Sequence, residues 1–281
     1  MSLLASIMVI SSVFASTDAR LQSIVDAYGG SDKLEQPSQF YAEGKECFVN
    51  IFTRPQGNET CSPVRIYRRD PYRWRKESPS DSVTLVVIYR ESDGIEFYEG
   101  PLLTRVFLRL VQKPPSVSAE QVRHFWDLQK TSVDSFLLNR DKLPITFDGL
   151  QKTFDGKFAW SFSVPDNGSV VHYFFDPDTK LCLQESYILP GGYPGHTVYG
   201  DYRDVQGVPR AHHLQRFYGD RLITESFFDH IDVPQTMDDK LFEIPTPSPR
   251  WLLPLVVGCI LATLIAIILV FLRRFRRVAH P

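Results

Sequence analysis

FAWSFSVPDNGSVVHYFF, residues 158–175, has the pattern of two paired strands. Phe158, Trp160, Phe162 and Val164 alternate with Ala159, Ser161 and Ser163, a period of two that belongs to a strand with one apolar face. Pro165-Asp166-Asn167-Gly168 supplies a turn, and Val171, Tyr173 and Phe175 then repeat the alternation. Working outward, Val83, Leu85, Val87 and Tyr89 share the face of another strand. Further strands are predicted at 39–50, 62–69, 72–78, 94–98, 181–189, 196–204, 211–218 and 221–230, mostly separated by Gly, Pro or Asp. Gaps this short connect neighbours in antiparallel fashion, so the chain reads as a meander.

Two segments have helical spacing instead. Thr17 or Asp18 caps a first helix carrying Leu21, Ile24, Val25 and Tyr28 on one side, and Gly29-Gly30 ends it. Ser118 and Gln121 form a capping box for a long helix, with Val122, Phe125, Trp126, Val133, Phe136 and Leu137 on one face. Residues 101–111 are apolar and fit either a short helix or a strand. The fold class expected is mainly β with helices, a single strongly curved antiparallel sheet (an unclosed β-barrel) whose concave side the helices cover.

The ends imply a membrane protein. Residues 251–272 form a charge-free apolar run of the length a spanning helix needs, and Arg273, Arg274, Arg276 and Arg277 follow it. Residues 1–15 resemble a signal peptide, although no basic residue opens them. The domain reading is therefore 1–15 signal peptide, 16–245 folded domain, 246–250 spacer, 251–272 transmembrane helix and 273–281 basic cytoplasmic tail. The implied topology is single-pass in the inner membrane, with the domain periplasmic and the membrane itself a partner through that helix. Four of the 31 basic residues follow the apolar run, while all 33 acidic ones precede it. Such an acidic domain gives no reason to expect nucleic acid.

Cys47 and Cys61 flank a stretch rich in turn residues and are candidates for a disulfide in an oxidising compartment. Free buried thiols are the competing reading. No C-x-x-C or H-E-x-x-H spacing occurs, and the adjacent His212 and His213 face opposite sides of a strand, so neither a metal nor another cofactor is expected. Ser161 and Ser163 have no nucleophile-elbow turn around them and read as outward polar positions. No enzyme is indicated.

Several motifs together resemble the bacterial lipoprotein-sorting and carrier proteins of the LolA/LolB type. They are Tyr28-Gly29-Gly30-Ser31-Asp32-Lys33-Leu34, Phe175-Asp176-Pro177-Asp178-Thr179-Lys180-Leu181, the hairpin from Tyr199 through Gly207 to Pro209, and DDKLFEIP at 238–245. The resemblance runs through most of 18–245 and implies an unclosed barrel of about eleven strands under helices. The C-terminal spanning helix departs from it, since carriers are soluble and receptors lipid-anchored.

Two functions are open. In the first, the domain binds lipid or an acylated protein in an apolar cavity, each buried CH₂ contributing about 0.8 kcal/mol, for lipoprotein or lipid sorting. Val87, Trp160, Phe162, Tyr173 and Phe175 are then the candidate lipid-facing residues. Arg68, Arg69, Arg73, Arg75 and Lys76 form a candidate patch for headgroups or a partner, or else a strand edge protected by charge. In the second, the domain is a sensor or scaffold of the cell envelope that binds a partner protein without carrying lipid. A packed core would favour the second.

Overall fold

The computed structural model describes residues 17–34, 39–49, 59–69, 72–101, 117–130, 132–166, 168–189 and 192–243, together with 258, 265 and 268. Twelve strands form one antiparallel sheet: β1 (Phe40–Val49), β2 (Glu59–Arg69), β3 (Arg73–Pro79), β4 (Thr84–Tyr89), β5 (Gly94–Glu99), β6 (Thr146–Lys152), β7 (Phe158–Asp166), β8 (Ser169–Phe175), β9 (Cys182–Leu189), β10 (Tyr193–Val205), β11 (Val208–Tyr218) and β12 (Arg221–Asp232). Their order is β5-β4-β3-β2-β1-β12-β11-β10-β9-β8-β7-β6. Two meanders, β1 to β5 and β6 to β12, thus join side by side where β1 pairs with β12. Among the described residues, α1 (17–27), α2 (Ser31–Leu34), α3 (Ala119–Lys130) and α4 (Val133–Leu138) accompany the sheet.

Turn chemistry sets the registers. Gln206 and Gly207 both have positive φ between the paired Val205 and Val208, the geometry of a two-residue hairpin that follows the strand twist. Asp176 closes the β8–β9 turn by accepting from the N–H groups of Asp178 and Thr179. At Gly44 a register shift brings β1 so close to β12 that a Cβ would meet the Phe227 carbonyl at 1.9 Å.

Three expectations change. β6 carries no clear alternation because it is an edge strand, mostly exposed and bulged between Phe147 and Gly149. The long helix is broken in two, since Ser132 caps α4 by accepting from the Ser135 N–H. The third concerns the curvature of the sheet, whose two ends are β5 and β6. Its buried apolar residues fall into three clusters: one around Phe136 and Phe162, one around Ala42, Val64 and Phe228, and one of Val86, Ile88 and Phe97. A sheet rolled tightly around a single cavity would gather them into one. The strongly curved, unclosed barrel is therefore corrected to a mixed α/β fold on an open antiparallel sheet.

The expected spanning helix is also corrected. Among the described residues no helix is long and apolar enough to cross a membrane. The segment 251–272 lies outside them except at Gly258, Ile265 and Ile268, and residues 1–15, 246–250 and 273–281 lie outside them as well. The single-pass topology and the membrane as a partner through that helix are not retained.

Candidate functional site

The sheet has a helix face and an outer face. On the helix face, Phe162, Val164, Val171, Tyr173 and Phe175 meet Leu21, Ile24 and Val25 of α1, Tyr28 just past its end, and Val133, Phe136 and Leu137 of α4. Phe136 is central. Its ring stacks on Tyr173 at 4.2 Å and lies 5.9 Å from Phe175 and 6.4 Å from Phe162. Phe162, Tyr173 and Phe175 are at most 2% exposed. Of the five candidate lipid-facing residues, these three thus pack directly under the chain's own helix, and Trp160 lies at their margin. Val87 is far along the sheet, paired with Lys76 and Glu96, while its neighbours Val86 and Ile88 are fully buried on the other face. The structure brings four of the five together and leaves Val87 apart.

Three of the motifs singled out in the sequence hold this arrangement together. The Tyr28 hydroxyl accepts from the Cys182 N–H at 3.1 Å, the Tyr202 hydroxyl donates to the Cys182 carbonyl at 2.7 Å, and the two hydroxyls are 3.4 Å apart. Lys33 donates to the Gln206 carbonyl at 3.1 Å, and a Cβ on Gly29 would stand 2.4 Å from the Gly207 carbonyl oxygen. Gly29, just past the end of α1, is thus required for close approach to the β10–β11 hairpin. The fourth motif packs elsewhere. Its 3₁₀ turn, Asp239–Phe242, lies on the outer face of β3, with Phe242 buried and the Leu241 carbonyl accepting from Arg75 at 2.9 Å.

The basic run is dispersed. Arg69 and Arg73 both pair with Asp239, whose turn they clamp to the sheet. Arg75 is buried between Glu77 at 2.7 Å and Glu99 at 2.9 Å. Lys76 points to the opposite face and pairs with Glu46, and Arg68 shares that face by register. Cys47 and Cys61, directly opposed on β1 and β2, are joined by a disulfide.

Ser161 and Ser163 lie on the outer face, opposite Phe162 and Val164, yet they are buried. Both donate to Asp148 on β6, at 3.1 and 2.9 Å, and His172 Nδ1 lies 3.4 Å from the same carboxylate. This polar cluster covers the outer face of the edge, where alternation alone suggests solvent. The two histidines part as expected for a strand: His212 lies 2.6 Å from the Phe228 carbonyl and His213 lies 2.7 Å from Glu225. Among the described residues no group of three or more His, Cys, Asp or Glu could hold a metal ion.

Two features escaped the sequence. Glu185 on β9 faces the helices, flanked across the sheet by Tyr173 and Thr197, and is 5% exposed. Burial pushes its carboxyl up to about 8, against the Tyr199 hydroxyl and the Val133 N–H, which pull it down. Its only signal was a carboxylate in phase with Tyr173. The other is an exposed strip at the free β6–β7 edge. Leu150 (57% exposed) and Phe158 (59% exposed) lie beside Trp160 there. Lys152 sits over Phe158 at 5.3 Å, while Lys180 and Arg20 sit over Trp160 at 4.1 and 5.7 Å.

The architecture has counterparts among solved structures. A LolA superfamily protein from Nitrosomonas europaea has a TM-score of 0.50 at 10% identity, over 79% of this chain and 97% of that one. A DUF1329 family protein from Desulfovibrio piger has a TM-score of 0.48 at 14% identity, over 79% and 97%. An outer membrane lipoprotein-sorting protein domain from Vibrio parahaemolyticus has a TM-score of 0.46 at 11% identity, over 78% and 95%. At such identities the likeness is one of fold. The expected membership with an added transmembrane helix is corrected to a likeness of fold alone, since among the described residues no helix is long and apolar enough to cross a membrane. No family model and no curated protein matches the chain.

Proposed function

We propose that the protein is a non-enzymatic scaffold or sensor of the cell envelope that binds a partner protein. The observation carrying this reading is the filling of the aromatic face by Phe136: the side chains best suited to an acyl chain are already in van der Waals and stacking contact with the protein's own helix. An acyl chain would have to evict α4 and re-expose Val133, Phe136 and Leu137, each costing about 1.5–3 kcal/mol. A partner protein needs no such rearrangement. The strip of Leu150, Phe158 and Trp160 with its three cations offers apolar area and positive charge at a free sheet edge, which suits an apolar, acidic segment of a partner. The Cys47–Cys61 disulfide supports an oxidising compartment.

The test is photo-crosslinking in the source cells from a probe at position 150 or 158, with a probe at the buried position 162 as control. A discrete protein adduct from the edge positions, weakened by Lys152→Glu, is the expected result. Absence of adducts together with a stoichiometric phospholipid or acyl chain on the purified full chain would reverse the reading in favour of a lipid carrier.

A further inference from the structure

Glu185 lies beneath the first turn of α4, and its surroundings are poorly suited to a charge. Among the described residues its buried Oε1 has no hydrogen-bond partner, while the Tyr199 hydroxyl and the Val133 N–H serve the carboxyl. The titratable and charged groups facing it are Tyr173 on β8, Cys182 on its own strand, Tyr199 on β10, Arg216 on β11 and Asp134 on α4. Among the described residues facing it, Arg216 alone is cationic, and it is exposed. Asp134 is already engaged by Arg210 at 2.5 Å, so α4 brings a second carboxylate towards Glu185 on the residue next to the one that donates to it. An ionised Glu185 would therefore be desolvated beneath α4 and incompletely hydrogen-bonded, with Asp134 adding a smaller repulsion against the Val133 N–H.

We propose that Glu185 is a proton-operated catch for α4: the neutral carboxyl lets the helix seat on the sheet, and ionisation favours its release, uncovering Phe162, Tyr173 and Phe175. The catch does not depend on which partner the protein binds. Release hydrates the carboxylate, so its affinity for protons falls towards the ordinary value of 4.5 when α4 lifts and returns to about 8 when α4 seats. A raised acid pKa in the closed form means that seating is fully supported below 4.5 and that this support is lost as pH rises towards 8. Within that window the population of the released form grows about tenfold per pH unit, and above it the population levels off.

Hydrogen exchange of the full chain, corrected for the intrinsic pH dependence of amide exchange, reads this directly. Protection of the amides of α4, residues 133–138, should fall by about tenfold per unit between pH 5 and 8, while protection in β10 and β11 stays level. Glu185→Gln should make protection of α4 independent of pH. Tyr199→Phe removes a donor to the carboxylate and should extend the falling region to higher pH. Protection of α4 that is flat across this range in the wild-type chain would overturn the proposal. So would a parallel loss in α4 and β10–β11, which marks global unfolding, or a Glu185→Gln chain that keeps the wild-type slope. Should the glutamine variant fail to fold, the slope of the wild type and its displacement in Tyr199→Phe decide alone.

Discussion

Phe136→Ala separates a filled core from a hollow one. Phe136 is fully buried on a helix of only six residues, too short to persist without its tertiary contacts. Truncating a fully buried phenylalanine costs about 3–5 kcal/mol through lost transfer energy and the cavity left behind. Stacking with Tyr173 at 4.2 Å and contact with Phe162 and Phe175 place the expected loss in the upper part of that range. Urea denaturation followed by tyrosine and tryptophan emission measures it, and the midpoint should fall while the slope stays constant. The new void is lined by Phe162, Tyr173 and Phe175, so it should also take up a small apolar probe that the wild-type chain excludes. A loss of only about 0.5 kcal/mol, typical of exposed positions, would mean that α4 lies loosely over empty space and would refute the reasoning. So would strong binding of an acyl probe by the unmodified protein.

Removing the Cys47–Cys61 bridge, which closes a sequence separation of 14, should lower stability by about 3 kcal/mol, measured as the difference in urea midpoint between Cys47→Ala/Cys61→Ala and the parent. Arg75→Met leaves Glu77 buried without its main cation and frees the Leu241 carbonyl. A loss of about 3–5 kcal/mol is expected, with exchange protection lost first in β3 and at 239–242. Gly44→Ala should disrupt the pairing of β1 with β12, because its Cβ would meet backbone and no flexible side chain. Near-ultraviolet circular dichroism of the purified variant should show lost tertiary packing, and a native spectrum would contradict the assigned register.

Eleven of the twelve strands were legible because half-buried strands print a period of two, and turn residues bound them. β6 was not, since an edge strand buries little and so carries little pattern. The helix stripe from Val122 to Leu137 was visible, and it contains Phe136, but periodicity shows which face is buried and not what fills it. The basic run looked like a patch because its members are close in the chain. Alternation sends Arg75 and Lys76 to opposite faces, where Glu99 on β5 and Glu46 on β1 pair with them, while Asp239 of the 3₁₀ turn pairs with Arg73.

By itself, then, the sequence determined the local elements, the turns and the motifs that lock α1 to the β10–β11 hairpin, because backbone preference and side-chain period act over a few residues. Packing in three dimensions settled the rest: the sheet is not rolled into a strongly curved barrel, Phe136 occupies the aromatic face, and Glu185 lies in apolar surroundings under α4. Those outcomes depend on which distant surfaces meet, and burial is a property of the meeting and not of either residue alone.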